Sequence, residues 1–157
     1  MTTSDETIQL QPGIHPVVPA DVPRLVEVWE ASVRATHHFL SEADIQFFKP
    51  AVRDELVGAL ELACVRDGDG RLAGFVGVAD GKVEALFIHP GLRGRGVGRT
   101  LLEHAVHALG ATRVDVNEQN EQAVGFYLRM GFEVEDRSPL DGLGKPFPLL
   151  HMRLRST

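Results

Sequence analysis

The stretch Leu86-Phe87-Ile88-His89-Pro90-Gly91-Leu92-Arg93-Gly94-Arg95-Gly96-Val97-Gly98-Arg99 decides how this chain is read. It concentrates three arginines and four glycines in a chain whose net charge is −6. Glycines let successive backbone N–H groups converge, and a helix start adds its dipole, so such a loop holds an anion such as a diphosphate. Arginine adds forked donors for phosphate oxygens. Two common phosphate loops do not fit. A Walker loop ends in Gly-Lys-Ser/Thr, whereas this one runs Gly98-Arg99-Thr100. A dinucleotide fingerprint needs a third glycine where Arg99 or Leu101 stands. What remains is R-x-x-G-x-G, from Arg93 to Gly98.

Working outward, Lys82 to Ile88 reads as a strand before the loop. After it, Val97, Leu101, Leu102, Ala105, Val106 and Leu109 recur at helical spacing until Gly110, and Arg113 to Asn117 is a second strand. This βαβ unit predicts a parallel, right-handed crossover, with a ligand crevice at the carboxyl ends of its strands. Upstream, Leu62 to Arg66 and Arg71 to Ala79 flank Asp67-Gly68-Asp69-Gly70 as a hairpin, and Asp80-Gly81 turns into the Lys82 strand. Further upstream lie a short strand at Ile14 to Val18 and a helix that Asp21 can cap, with Val22, Leu25, Val26, Trp29 and Val33 on its apolar face. A second helix starts at the capping-box pattern Ser41-x-x-Asp44, and Pro50 predicts a new helix or a kinked continuation to Leu60. Downstream come a helix from Asn120 to Met130 and closing strands at Phe132 to Asp136 and Leu149 to Leu154. The expected fold class is α/β (α+β): a central mixed, mostly antiparallel sheet of about six or seven strands with one parallel βαβ unit, flanked by about four helices.

At 157 residues the chain has the length of one domain, predicted over residues 14–157 behind a flexible tail at 1–13. The acidic balance argues against nucleic acid and anionic membrane as partners. The N-terminus has no basic and apolar regions of a signal peptide, and no run reaches the roughly 18 apolar residues of a transmembrane helix, so a cytoplasmic location is expected. A single cysteine, Cys64, excludes an intrachain disulfide and a multi-thiolate metal site, and reads as a small buried residue rather than a nucleophile. His104 and His107 fall on the polar face of their helix with Thr100 and Glu103, so they read as solvated, and no metal is expected.

Arg93-Gly94-Arg95-Gly96-Val97-Gly98 resembles the acetyl-CoA diphosphate loop of the GNAT superfamily of acyl-CoA N-acyltransferases. Asn120-Glu121-Gln122-Ala123-Val124-Gly125-Phe126-Tyr127 through Met130-Gly131-Phe132 resembles the family's N-x-x-A-x-x-F-Y-x-x-x-G-F signature. The two occur in the family's order, and the longer string from Asn117, with Asp141 and Gly144-Lys145-Pro146-x-Pro148-Leu149-Leu150, is similar to small stand-alone bacterial members of the YjaB type. The resemblance implies a GNAT fold in which the strand before the loop is splayed from the next parallel strand. It also implies acetyl-CoA as cosubstrate, with the pantetheine arm on the backbone of Leu86, Phe87 and Ile88. Arg93 to Arg99, Asn120 and Phe126 would hold the rest of the cofactor.

Acetyl transfer to an amine needs a free nucleophile, a stabilised oxyanion and a proton for the departing thiolate. Tyr127, the only tyrosine, matches the residue that often serves as general acid in the superfamily; core packing is its alternative role. Glu84, inside an apolar strand, is the candidate base or amine anchor, with a structural salt bridge as the alternative. Asn117 shares a strand face with Asp115 and could touch substrate, and Asn120 could do so or cap its helix. By resemblance His37 and His38 occupy the region that shapes the acceptor pocket. The expected enzyme acetylates a primary amine by direct attack in a ternary complex. The acceptor is a small molecule or a protein lysine or N-terminus, the protein a monomer or homodimer. A non-catalytic acyl-CoA-binding sensor is the rival from another class.

Overall fold

A computed structural model describes residues 8–155, apart from the side chains of residues 55–57. The described residues form seven strands: β1 (His15–Pro16), β2 (Glu61–Arg66), β3 (Leu72–Ala79), β4 (Lys82–Ile88), β5 (Arg113–Asn117), β6 (Phe132–Ser138) and β7 (Leu149–Leu154), with β3 buried on both faces and apolar residues alternating along β5. They form one sheet in the order β1-β2-β3-β4-β5-β7-β6, and only β4 and β5 run parallel. Helix α4 (Val97–His107) makes the crossover between them, and α5 (Glu121–Arg129) follows β5. Their apolar stripes bury Leu101, Leu102, Ala105 and Tyr127 against Val83, Val114, Val116 and Met152. On the other face, α1 (Val22–Thr36) and α2 (Glu42–Ala51) bury Leu25, Val28, Trp29 and Ile45 with Phe75 and Ala85. Helix α1 packs on β3 and β4. The same face of β5, β7 and β6 carries Arg113, Arg153 and Glu135 out to solvent.

The local expectations meet their physical causes element by element. Ser41 caps α2 reciprocally, its Oγ accepting from Asp44 N–H at 3.1 Å while Asp44 Oδ2 accepts from Ser41 N–H at 3.0 Å. Pro50 lies inside the last turn of α2, and the missing donor is followed by a π-helical stretch, Val52–Leu56, and the single-turn α3 (Val57–Ala59), so the kinked continuation is what forms. Asp21 does not cap α1. It ends a 3₁₀ turn and is buried in a two-bond pair with Arg66, 2.8 Å for each oxygen. The short first strand shrinks to His15–Pro16, paired with Cys64 and Ala63. Cys64 is fully buried and burial pushes its thiol up to about 11, which keeps it unreactive.

The tail expectation divides. Residues 1–7 lie outside the described residues, but Ile8 to Gly13 is held in place. Leu10 bridges Asp67, Gln11 N–H donates to Arg66 O at 2.9 Å, and Gly68 N–H donates to Gln9 O at 2.8 Å. The β2–β3 turn thus supplies partners that the polar composition of the segment does not reveal.

Candidate active site

The parallel pairing of β4 with β5 lasts for two residues on each strand, Lys82 with Arg113 and Val83 with Val114. Beyond them the strands separate, while β4 stays paired with β3 from Ala85 to Ile88. The register against β3 shifts between Gly77 and Val78, so Glu84 has no partner residue there and forms a bulge at the point where the splay opens. His89 N–H donates to Ala73 O at 2.9 Å, one step beyond the Gly74–Ile88 pair. In an antiparallel ladder the bonded pairs alternate, so Phe87 also turns its backbone to β3, and Leu86 and Ile88 turn theirs to the splay. Of the three residues expected to bind through the backbone, two therefore present free N–H and C=O groups. Phe87 instead puts its ring on the α1 face, 5.8 Å from Phe75 and 6.5 Å from His37.

At the carboxyl end of β4, a 3₁₀ turn (Pro90–Leu92) leads into the glycine loop. Gly94 and Gly96 take φ of 74° and 77°, the left-handed region that glycine enters without a Cβ penalty. Gly96 is the N-cap of α4 and offers no side chain, and Thr100 N–H makes the first bond back to Gly96 O at 3.0 Å. The N–H groups of Val97, Gly98 and Arg99 are thus left for a ligand. Gly98 is needed for close packing: a Cβ there would lie 3.1 Å from Ile88 Cδ1 and 3.6 Å from Phe126 Cζ. A cleft of about 390 Å³ separates Arg93 and Gly94 from Gln122, Gly125 and Arg129 of α5. Arg93 reaches Gln122 Oε1 at 3.2 Å, and Arg99 faces Glu103 at 3.7 Å. The guanidinium of Arg95 is engaged elsewhere, donating to Ile8 O at 2.6 Å.

Asn120 caps α5, its Oδ1 accepting from Ala123 N–H at 3.3 Å, and Asn117 ends β5 half-buried. Tyr127 is buried between Phe126 and Phe132, with ring centroids 5.1 and 5.7 Å away. It shares the α4–α5 core with Leu86 and Ile88, and burial pushes its phenol well above the ordinary tyrosine value.

Around the opposite face, His37 closes α1 and packs beside Phe39, with centroids 5.3 Å apart. Phe39 meets Phe147 of the β6–β7 connection at 5.6 Å. Burial, and secondarily the nearby His38, depress His37 to about 4, so its ring is neutral; His38 itself is exposed. Glu84 lies 3.3 Å from Lys82 Nζ, which also binds Asp115 Oδ2 at 2.9 Å. Glu84, Asp115 and His151 line one open cleft of about 460 Å³, together with Asp80 and with Lys82 and Arg113 from the paired ends of β4 and β5. The sequence reading missed His151, Ser138, Phe39 and Phe147. The first two meet only through strand register. The aromatic pair comes from loops some hundred residues apart, and no local period marks such a contact.

The chain is similar to known proteins in sequence and in fold. Residues 51–134 match the acetyltransferase (GNAT) domain family. The chain is 45 % identical over 129 residues to the peptidyl-lysine N-acetyltransferase YjaB of Salmonella typhimurium, covering 82 % of this chain and 88 % of that protein. It is 46 % identical over 128 residues to the Escherichia coli YjaB protein, covering 82 % and 86 %. The solution structure of apo YjaB from Escherichia coli superposes with a TM-score of 0.82 at 41 % identity, over 92 % of this chain and 98 % of that one. At 23 % identity the fold is also that of the PaiA N-acetyltransferase of Thermoplasma acidophilum, solved in complex with coenzyme A, with a TM-score of 0.73 over 91 % and 98 % of the chains. With a splayed parallel pair, a glycine-capped crossover helix and these relatives, the chain belongs to the GNAT acetyltransferase family.

Proposed function

We propose that this enzyme transfers an acetyl group from acetyl-CoA to the ε-amine of a protein lysine, by direct attack in a ternary complex. The splay carries the reading: two paired residues, then a strand edge whose free backbone groups run from the vertex to a helix N-terminus. The thioester supplies the activated acetyl group when bound. The amides of Val97, Gly98 and Arg99 and the guanidiniums of Arg93 and Arg99 suit the diphosphate, and the backbone of Gly94, Arg95 and Gly96 shapes that cradle. Leu86 and Ile88 receive the pantetheine amides as an added strand would, and their N–H groups polarise the thioester carbonyl. Phe126, against Gly98, closes the cofactor side, where Asn120 fixes the start of α5.

Tyr127, packed between Phe126 and Phe132 in the core it shares with Leu86 and Ile88, gives its phenolic proton to the departing thiolate. Glu84, at the vertex, anchors the acceptor ammonium. A lysine suits the aromatic wall of His37, Phe39, Phe87 and Phe147, because its four methylenes pack on rings while its head stays polar. His38 and Asn117 stand at the edges of that entrance. The relatives named peptidyl-lysine N-acetyltransferases support this acceptor over a small amine.

The test is acceptor-dependent CoA release with lysine peptides, blocked N-termini and a panel of small amines. Lysine peptides should give the highest kcat/KM, and Tyr127→Phe should lower kcat about 100-fold with acetyl-CoA affinity retained. Turnover of small amines alone would move the acceptor to that class. Acetyl-CoA binding without turnover of any acceptor would leave a sensor.

A further inference from the structure

A polar row crosses the open half of the sheet from the splay to the edge strand. Glu84 Oε1 lies 3.3 Å from Lys82 Nζ, and Lys82 Nζ lies 2.9 Å from Asp115 Oδ2. Asp115 Oδ1 is 2.6 Å from Nδ1 of His151, whose Nε2 is 2.6 Å from Ser138 Oγ. β4, β5, β7 and β6 contribute in turn, and the register that pairs Asp115 with His151 sets the row. An ionised carboxylate only accepts, so Nδ1 carries the ring proton and Nε2 presents its lone pair. Burial would raise the Asp115 carboxyl, but Lys82 and His151 outweigh it and hold the group below the ordinary range. A fixed carboxylate bonded to one ring nitrogen is the arrangement that orients an imidazole and fixes which nitrogen presents its lone pair.

We propose that His151 is the proton acceptor for the attacking amine, with Asp115 as its positioning residue. The assignment rests on the amine-acetyltransferase reading and supplies the step that Glu84 as anchor leaves open. In the cleft that His151 shares with Glu84, the acceptor N–H replaces the Ser138 hydroxyl as donor to Nε2. The N–H bond breaks, Nε2–H forms, and the imidazolium is held by Asp115. The free amine then forms its C–N bond as the C–S bond breaks. The phenol of Tyr127 gives its proton to the thiolate and regains the second proton shed by the nitrogen. The proton on His151 leaves to water through the open cleft. Asp115 is the charged group in contact with the ring, and the cleft is also lined by Arg113 from β5, Lys82 and Glu84 from β4, Glu135 and Asp136 from β6, and Asp80 from the β3–β4 turn.

The experiment measures kcat and KM for a lysine peptide from pH 6 to 10 in the wild type, His151→Gln and Ser138→Ala, with acetyl-CoA affinity and circular dichroism alongside. His151→Gln should lose about 100-fold in kcat at pH 7, with the KM for acetyl-CoA unchanged. The loss should close toward pH 10, where the lysine amine frees itself. Imidazole should restore activity to His151→Ala. Ser138→Ala should lose less than about fivefold, since its hydrogen bond is the one the amine replaces. If His151→Gln does not fold, Asp115→Asn takes its place with the same pH signature. A wild-type enzyme that turns over while His151→Gln stays within threefold of it at every pH overturns the assignment and leaves the acetyltransferase reading standing. Failure of the wild type with every acceptor overturns both.

Discussion

Gly96→Ala isolates what the backbone of the glycine loop contributes, because the substitution meets no atom. Gly96 sits at φ 77°, ψ 8°, and a Cβ placed there has nothing within 4 Å. The whole effect is therefore conformational, about 1–2 kcal/mol for an L-residue in the left-handed region. If the loop keeps its shape, the cost falls on folding, and at about 2–4 °C per kcal/mol for a chain of this size the Tm drops by roughly 2–8 °C. If the loop relaxes instead, the N–H groups ahead of α4 diverge and the ligand must restore them, so the Kd for acetyl-CoA rises about 5- to 30-fold. The cost appears once, divided between Tm and Kd, and calorimetric titration with thermal melts reads both. Gly96→Asn should recover much of either loss, since asparagine tolerates this region. A Gly96→Ala protein with Tm within 1 °C and Kd within twofold of the wild type would refute the argument that the left-handed cap builds the cradle.

Two further predictions concern stability. Asp21→Asn strands the mostly buried Arg66 guanidinium and should destabilise the fold by about 3 kcal/mol in urea melts, whereas the exposed pair Arg53–Asp54 should be silent to removal. Since the Arg66 hydrogen bond holds the Asp21 carboxyl below its ordinary value, this contribution is complete above about pH 4 and fades as pH falls through the lowered value. His37, depressed to about 4 by burial, is protonated more readily in the unfolded chain. Its neutral form therefore costs stability progressively as pH falls from 6.5 to 4, by up to about 3 kcal/mol, and His37→Phe should flatten the wild-type curve in that window.

The composition of the glycine loop, the helical period after it and the signature from Asn120 to Phe132 were readable because each is local. A left-handed cap needs glycine wherever the chain goes next, and an apolar stripe marks a helix whatever it packs on. The caps at Ser41 and Asn120 follow the same logic. Asp21 shows its limit: the residue looked like a helix cap, and a partner 45 positions away claimed it for an ion pair. Ile8 to Gly13 likewise reads as a tail until the turn at Asp67 and Gly68 binds it.

The sequence by itself determined that this is an acetyltransferase of the GNAT kind, through its glycine loop and the signature from Asn120 to Phe132. Only the tertiary structure decided where β4 leaves β5, that Glu84 forms the bulge at that vertex, and that the ring of Phe87 packs on the α1 face against Phe75. It also decided that Asp115, His151 and Ser138 stand in one row. The physical reason is register. Side chains alternate faces along a strand, so a slip of one residue between β5 and β7 would turn His151 away from Asp115 and into the core, and nothing local to either strand fixes that choice.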